Sequence, residues 1–155
     1  DEKDIVFFYI NKAINIVAEN GIIRGNGFSS ESNVAVSSAF RITEAQNVEI
    51  LNMKISNMNH DGLYIGYDYS DPNEAQMITK NISVRNCEIY GVGRNGISVV
   101  SGDNVKIHNC LIRDISTYQP KSCIDIEPES ISTTKTLNIN NISIKNFTNK
   151  EKRCG

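Results

Sequence analysis

The stretch Asn47-Val-Glu-Ile-Leu-Asn-Met53 decides the fold, because the same phrase returns three more times along the chain. The further copies are Asn81-Ile-Ser-Val-Arg-Asn-Cys87, Asn104-Val-Lys-Ile-His-Asn-Cys110 and Asn141-Ile-Ser-Ile-Lys-Asn-Phe147. The last asparagines of the four copies lie at 52, 86, 109 and 146, which gives spacings of 34, 23 and 37 residues. A fixed phrase separated by insertions of variable length indicates one structural unit stacked on itself.

Each phrase alternates β-branched with polar residues, which is the period of a half-buried β-strand. The composition agrees with this, since isoleucine occurs 23 times and asparagine 20 times in 155 residues, and tryptophan is absent. Isoleucine favours pleated surfaces, whereas asparagine tolerates the left-handed backbone of tight turns. An asparagine at the same register of every unit predicts ladders of side-chain amides along the stack.

Each unit contains about three short strands, with an asparagine corner between the second and the third. The predicted strands are 96–100, 105–107 and 111–113 in the third unit, and 123–127, 142–144 and a short strand after Asn146 in the fourth. This pattern resembles the right-handed parallel β-helix of the pectin-lyase-like superfamily, which includes pectate lyases, polygalacturonases and phage tailspikes. The resemblance implies an all-β fold, a solenoid of about five coils.

The chain is predicted to form a single β-helix domain over residues 1–155. It opens into the strand Ile5-Val-Phe-Phe-Tyr-Ile10 with no polar cap before it, and it stops at Cys154-Gly155, where earlier coils have a dipeptide that starts a strand. An exposed terminal coil is an aggregation template unless it is capped. We therefore expect a fragment of a longer β-helix, incomplete at both ends, or a chain whose ends are capped by partner chains.

The net charge, the length of the apolar runs and the cysteine positions restrict the classes of function that this chain can have. A net charge of −2 predicts no nucleic-acid footprint, and no apolar run reaches the roughly 18 residues of a membrane span. Cys87 and Cys110 occupy one register in adjacent coils, which predicts an inward stack of soft apolar residues. A disulfide between the two stacked coils stays geometrically conceivable. The cysteine spacing does not resemble a zinc site, and no metal site is predicted.

The superfamily resemblance implies a site on the outer face of one sheet, in a groove walled by long loops. The candidate sheet comprises residues 39–42, 62–66, 96–100 and 123–127. Eight of its apolar residues are predicted to point inward: Phe40, Ile42, Leu63, Ile65, Ile97, Val99, Ile124 and Ile126. Arg41, Tyr64, Ser98 and Asp125 should then form one outward row that binds an extended polymer, together with Tyr67 in the longest insertion and Arg94 at a strand start.

Glycoside hydrolysis requires two carboxylates, about 5 Å apart for retention or roughly 6.5–9.5 Å apart for inversion. Asp125 and Glu127 lie two residues apart on one strand, so both face outward about 6.6 Å apart along it. They are the predicted catalytic pair, and the alternative is that both are solvated acids on an exposed face.

The segment Asn59-His60-Asp61-Gly62 resembles the Asn-Thr-Asp-Gly segment of polygalacturonases. The next coil carries Arg94-Asn95-Gly96 where those enzymes have paired aspartates, and their Gly-His-Gly element is missing, so their mechanism does not carry over. Asp61 is therefore a weaker catalytic candidate than Asp125, and we expect it to hold a turn instead, for which Asp-Gly is a common choice.

A polysaccharide lyase is the second enzymatic hypothesis, because elimination needs a base and a neutraliser for the uronate. His60 and Arg94 lie at equivalent strand starts in adjacent coils, and Arg41 could bind a carboxylate. Calcium would be the cofactor of such a lyase. For a hydrolase we expect no cofactor.

The phrase Cys123-Ile-Asp-Ile-Glu-Pro-Glu129 resembles one found in β-helix proteins of phage tails. This resemblance implies a tailspike or depolymerase that acts on an extended surface polysaccharide, forms a homotrimer, and is extracellular or virion-associated. The rival hypothesis is a non-catalytic structural or receptor-binding β-helix of a virion appendage or adhesin. The fold alone does not decide between them.

Overall fold

The computed structural model describes residues 5–27, 37–68, 79–117, 119–128, 130–132, 135–136, 139–140, 143–145 and 148–149. Within these residues the chain is a right-handed parallel β-helix of about five coils, as the repeated phrase predicts. No helix in the described ranges has the length and apolar character of a membrane span.

Three parallel sheets run along the solenoid, and each coil contributes one strand to each of them, except that the last coil contributes two short strands to sheet B. Sheet A contains β1 (Ile5–Asn11), β4 (Ser37–Thr43), β7 (Leu63–Gly66), β10 (Ile97–Val99) and β13 (Ile124–Ile126). Sheet B contains β2 (Ile14–Glu19), β5 (Gln46–Leu51), β8 (Lys80–Arg85) and β11 (Gly102–His108), and β11 pairs with both β16 (Ile139–Asn140) and β17 (Ser143–Lys145). Sheet C contains β3 (Ile22–Arg24), β6 (Lys54–Ser56), β9 (Glu88–Val92), β12 (Leu111–Ile115) and β18 (Thr148–Asn149). The antiparallel pair β14 (Ser130–Ser132) and β15 (Lys135–Thr136) lies outside these sheets.

The core is a column of apolar side chains inside the three sheets, and six of the eight residues predicted to point inward from sheet A are fully buried in it. Ile124 is partly buried against this column. Ile126 is 43% exposed, because β13 is the last strand of sheet A among the described residues. Cys87 and Cys110 are free and buried, which confirms the inward stack. The hydrogen bond with Cys110 and burial raise the pKa of Cys87.

The asparagines of the repeated phrase form two ladders at the two ends of the sheet B strands. In the first ladder, the amide Nδ2 atoms of Asn47, Asn81 and Asn104 each donate to the Oδ1 atom one coil earlier, over 2.8–2.9 Å. Asn52, Asn86 and Asn109 form the second in the same way. All six have a left-handed backbone, with φ between 52° and 56°. The predicted ladders are therefore confirmed, and they lie where the backbone turns.

The corner between sheets B and C has the same length in every described coil, namely residues 20–21, 52–53, 86–87 and 109–110. The two corners that flank sheet A differ in length. From sheet C to sheet A the chain spans 25–36, 57–62, 93–96 and 116–123, and from sheet A to sheet B it spans 12–13, 44–45, 67–79 and 100–101. All the variation in coil length therefore lies beside sheet A.

Candidate functional site

The outer face of sheet A carries one row of aligned side chains that crosses five strands. Cα partners in adjacent strands link Tyr9 to Arg41, Arg41 to Tyr64, Tyr64 to Ser98, and Ser98 to Asp125. This places the four predicted row residues in a single register and adds Tyr9 from β1. Aligned strands lie about 4.8 Å apart, so the row extends along the solenoid axis.

The part of the row nearest the N-terminus combines aromatic rings with a guanidinium group. The Cζ atom of Arg41 lies 5.0 Å from the ring centroid of Tyr64, which is a cation–π distance. The Nε–H group of Arg41 is buried and donates to no acceptor among the described residues. The Tyr64 hydroxyl donates to the backbone oxygen of Tyr67 over 3.3 Å. Tyr67 itself is only 3% exposed, so little of its ring reaches the surface where the sequence predicted a sugar contact.

Tyr9 donates its hydroxyl proton to the buried carboxylate of Asp68 over 2.5 Å, and Asn11 donates to the same carboxylate oxygen over 3.3 Å. Burial and this hydrogen bond both raise the pKa of Tyr9. The phenol therefore stays protonated and remains a hydrogen-bond donor at neutral pH. Its ring is half exposed beside Arg41, so one face of it is available to a ligand.

The other part of the row is organised by Asn95, a fully buried residue just before β10. Its Nδ2 atom donates both protons, one to Ser98 Oγ over 3.0 Å and one to Asp125 Oδ2 over 2.9 Å. Its Oδ1 atom accepts from the backbone N–H of Ser122 over 3.0 Å. Asn95 thus uses both of its side-chain N–H donors. It lies one coil before Asp125 and holds the carboxylate of that residue in place.

Asp61 lies one coil before Asn95 at the equivalent strand start, and only 1% of it is exposed. Its carboxylate accepts from the backbone N–H of Asn95 over 3.1 Å and from Ser98 Oγ over 3.0 Å. Arg94 forms an ion pair with it over 3.3 Å, and His60 Nδ1 lies 3.4 Å away. Asp61 therefore holds the turn of the next coil, which is the role that its Asp-Gly context predicted as an alternative to catalysis.

Two glycines make this close stacking possible. A Cβ atom on Gly62 would lie 2.5 Å from the backbone oxygen of Gly96, and one on Gly96 would lie 2.5 Å from the backbone oxygen of Cys123. Any side chain at either position would force adjacent coils apart. The glycines that follow Asp61 and Asn95 are thus required by the close approach of the backbones.

The predicted catalytic pair occupies two different environments. Asp125 is partly buried and held by Asn95, whereas Glu127 is exposed just after β13 and its backbone N–H donates to the oxygen of Val99 over 3.0 Å. Arg94 forms its ion pair with Asp61 and not with Asp125 or Glu127, so Arg94 and His60 both lie beside Asp61 in the same network. Whether any of these residues binds substrate or catalyses stays a prediction.

Sequence reasoning missed Tyr9, Asp68 and Asn95. The signal for Asn95 was present, because it precedes a glycine at the same strand start as Asp61. The described residues contain no group of three or more His, Cys, Asp or Glu side chains that could hold a metal ion.

No family model and no solved structure matches the chain. The chain is similar to the uncharacterized protein YclG of Bacillus subtilis strain 168, with 31% identity over 133 residues. The matched region covers 77% of this chain and 22% of YclG, so the chain spans about a fifth of the length of that relative. The name of the relative states no activity.

Proposed function

We propose that this chain is the polysaccharide-binding β-helix of a glycoside hydrolase, of the pectin-lyase-like type found in phage tailspikes, with Asp125 and Glu127 as its two carboxylates. The observation that carries the proposal is the fixed carboxylate of Asp125, which accepts a hydrogen bond from the fully buried Asn95. A catalytic group must be held in place by residues that are themselves held, and Asn95 is fixed by Ser98 and by the backbone of Ser122.

The row on sheet A supports binding of an extended chain of sugars. Tyr9, Arg41 and Tyr64 offer two rings and a guanidinium group at successive coil spacings. Sugars stack on aromatic rings, and their hydroxyl and carboxylate groups bond to charged donors. A polymer lying along the solenoid axis would contact these residues first and reach Asp125 two strands beyond Tyr64.

The spacing of the two acids supports inversion over retention. Residues two apart on one strand lie about 6.6 Å apart along it, which leaves room for a water molecule between carboxylate and sugar. In this assignment Glu127, the more exposed acid, activates the water, and Asp125 protonates the leaving oxygen.

A lyase is the second candidate, and the gathering of His60 and Arg94 around Asp61 favours it. In a lyase one of these two groups would remove the proton beside the uronate carboxylate, and calcium would neutralise that carboxylate.

The disulfide bond formed by Cys123 supports a location outside the reducing cytosol, and hence an extracellular or virion-associated protein. A homotrimer is part of this proposal through the tailspike resemblance alone. The alternative is a non-catalytic receptor-binding β-helix. The following experiment would favour this alternative if no glycosidic bond is cleaved.

The test uses the full-length protein with a panel of capsular and plant polysaccharides, and it follows both reducing ends and the absorbance of unsaturated uronates. Asp125→Asn and Glu127→Gln should each lower reducing-end release by roughly 100-fold or more, because general acid–base groups contribute that much. Asp114→Asn on sheet C removes an exposed acid outside the row and should leave the rate unchanged.

Absorbance that is lost in His60→Gln and kept in Asp125→Asn would overturn the hydrolase in favour of the lyase. Binding without either product would overturn both enzymes and leave the receptor-binding β-helix.

A further inference from the structure

The outer face of sheet B carries a groove that the row on sheet A does not reach. It is shallow, has a volume of about 590 Å³, and its lining includes Asn47, Asn81, Asn104, Arg85, Lys106 and His108. These residues belong to β5, β8 and β11, so the groove runs across three successive coils.

The first asparagine ladder supplies donors along one wall of this groove. Each amide Nδ2 of Asn47, Asn81 and Asn104 donates one proton within the ladder. An amide nitrogen carries two protons, so a second N–H remains on each residue beyond the ladder bond. These donors repeat at the coil spacing of about 4.8 Å, which suits a linear ligand along the solenoid axis.

The floor of the groove is positively charged. Lys106 is exposed and has no ion-pair partner among the residues that the structure describes. Arg85 pairs with Glu49, the single acid of the lining, over 3.0 Å. His108 is the Cα partner of Arg85 in the next coil, and Lys145 is in turn the Cα partner of His108 on β17. Two full positive charges thus face one negative charge, in a chain whose net charge is −2.

We propose that this groove is a second binding site, for an anionic polysaccharide whose sulfate or carboxylate groups contact Lys106 and Arg85 while its hydroxyl oxygens accept from the asparagine ladder. The lining has no Phe, Tyr or Trp and only one apolar residue, Ile82, which is itself buried, so it lacks the apolar centre of a protein interface. The site does not depend on the hydrolase proposal, because it shares no residue with the row on sheet A.

The experiment measures binding of dextran sulfate and of uncharged dextran to the full-length protein by affinity electrophoresis and calorimetry. Dextran sulfate should bind and dextran should not, and the affinity should fall as salt is raised, since exposed charges are screened. Lys106→Gln combined with Arg85→Gln should weaken the binding by about tenfold, because each exposed ionic contact contributes a few-fold.

Lys54→Gln on sheet C is the matched control, because it removes an exposed lysine outside the groove. It should bind dextran sulfate as the parent does. Equal weakening by Lys54→Gln, or equal affinity for a single-stranded oligonucleotide of similar charge, would overturn the proposal in favour of unspecific attraction between charges. Unchanged binding in the double variant, or no binding by the parent, would overturn it outright.

Discussion

The outer faces of sheets A and B follow opposite rules. On sheet B the same residue type returns in each coil, and its amides bond to their own copies in the neighbouring coils. On sheet A every coil contributes a different residue to the row: Tyr9, Arg41, Tyr64, Ser98 and Asp125. In a solenoid, repetition builds the frame and can present equal donors to a repeating ligand, whereas a catalytic site requires several different groups in one place. The face that departs from the repeat is therefore where a catalytic site is expected.

The two faces also differ in how their polar contacts are exposed to water. The ladder asparagines 47, 52, 81 and 86 lie at the surface, whereas Asp61, Asn95 and Ser98 are buried and bridge three coils. A buried polar group that loses its partner costs more free energy than an exposed one, because water cannot replace the lost bond. The comparison thus predicts that the network on sheet A matters most for stability.

The largest effect should come from Asp61→Ala. This change leaves the Asn95 N–H and the Ser98 hydroxyl without their acceptor, and it leaves Arg94 without its partner carboxylate. We expect the free energy of unfolding to fall by about 3 kcal/mol, as in other buried networks that lose one partner. Denaturant unfolding monitored by circular dichroism measures this.

Asp61→Asn is the control for this prediction, because it keeps the shape and one acceptor oxygen, and it should cost clearly less than Asp61→Ala. Equal costs for the two variants would mean that the hydrogen bonds of Asp61 contribute little.

An intermediate effect is expected at the ladder residue Asn81. Asn81→Ala forces alanine into a left-handed backbone at φ 56° and removes the bonds to Asn47 and Asn104. The expected loss is about 1–2 kcal/mol, mostly from the backbone. Asn81→Gly restores backbone freedom and should recover about half of that loss by the same denaturant measurement. If glycine is no better than alanine, the amide bonds and not the backbone dominate the ladder.

The smallest effect should come from the partly exposed ion pairs of Glu88 on sheet C. Arg113 at 2.8 Å and Lys54 at 3.2 Å hold the pKa of Glu88 below its usual range. A lowered folded-state pKa adds stability above the unfolded value of about 4.3, and this stability is lost as pH falls through the folded-state pKa. Glu88→Gln should lower the free energy of unfolding by less than about 1 kcal/mol at pH 7 and should leave it unchanged at pH 2. A cost that persists at pH 2 would point to packing instead of charge.

The sequence predicted the fold because each part of the repeated phrase acts locally. Alternation sets the buried face, and asparagine permits the left-handed corner, so neither depends on distant residues. One further copy, Asn15-Ile-Val-Ala-Glu-Asn20-Gly21, continues both ladders but escaped the pattern. It ends in glycine where later copies end in an apolar residue, since a Cβ there would lie 2.8 Å from Met53 Cε. Met53 of the next coil fills the space beside Gly21, and this contact cannot be read from the sequence of a single copy.

The site was less predictable. Register alone placed the row, because strand alternation fixes which side chains share a face. The burial of Asp61 and Asn95 depends on corners of unequal length, whose paths no local rule determines. Their bonds to one another join residues 34 positions apart, so only the stacked coils bring them together.

The two-residue corner between sheets B and C has a consequence for how such proteins change over evolutionary time. Because Asn52, Asn86 and Asn109 each bond to the coil before them, an insertion at this corner would interrupt the ladder and be selected against. The corners on either side of sheet A contain no ladder residue, because the first ladder lies inside the sheet B strands, and these corners already range from two residues to more than ten. The solenoid can therefore acquire new segments beside sheet A while the asparagine ladder at the corner between sheets B and C is kept. The ligand can thus change during evolution without a change of fold.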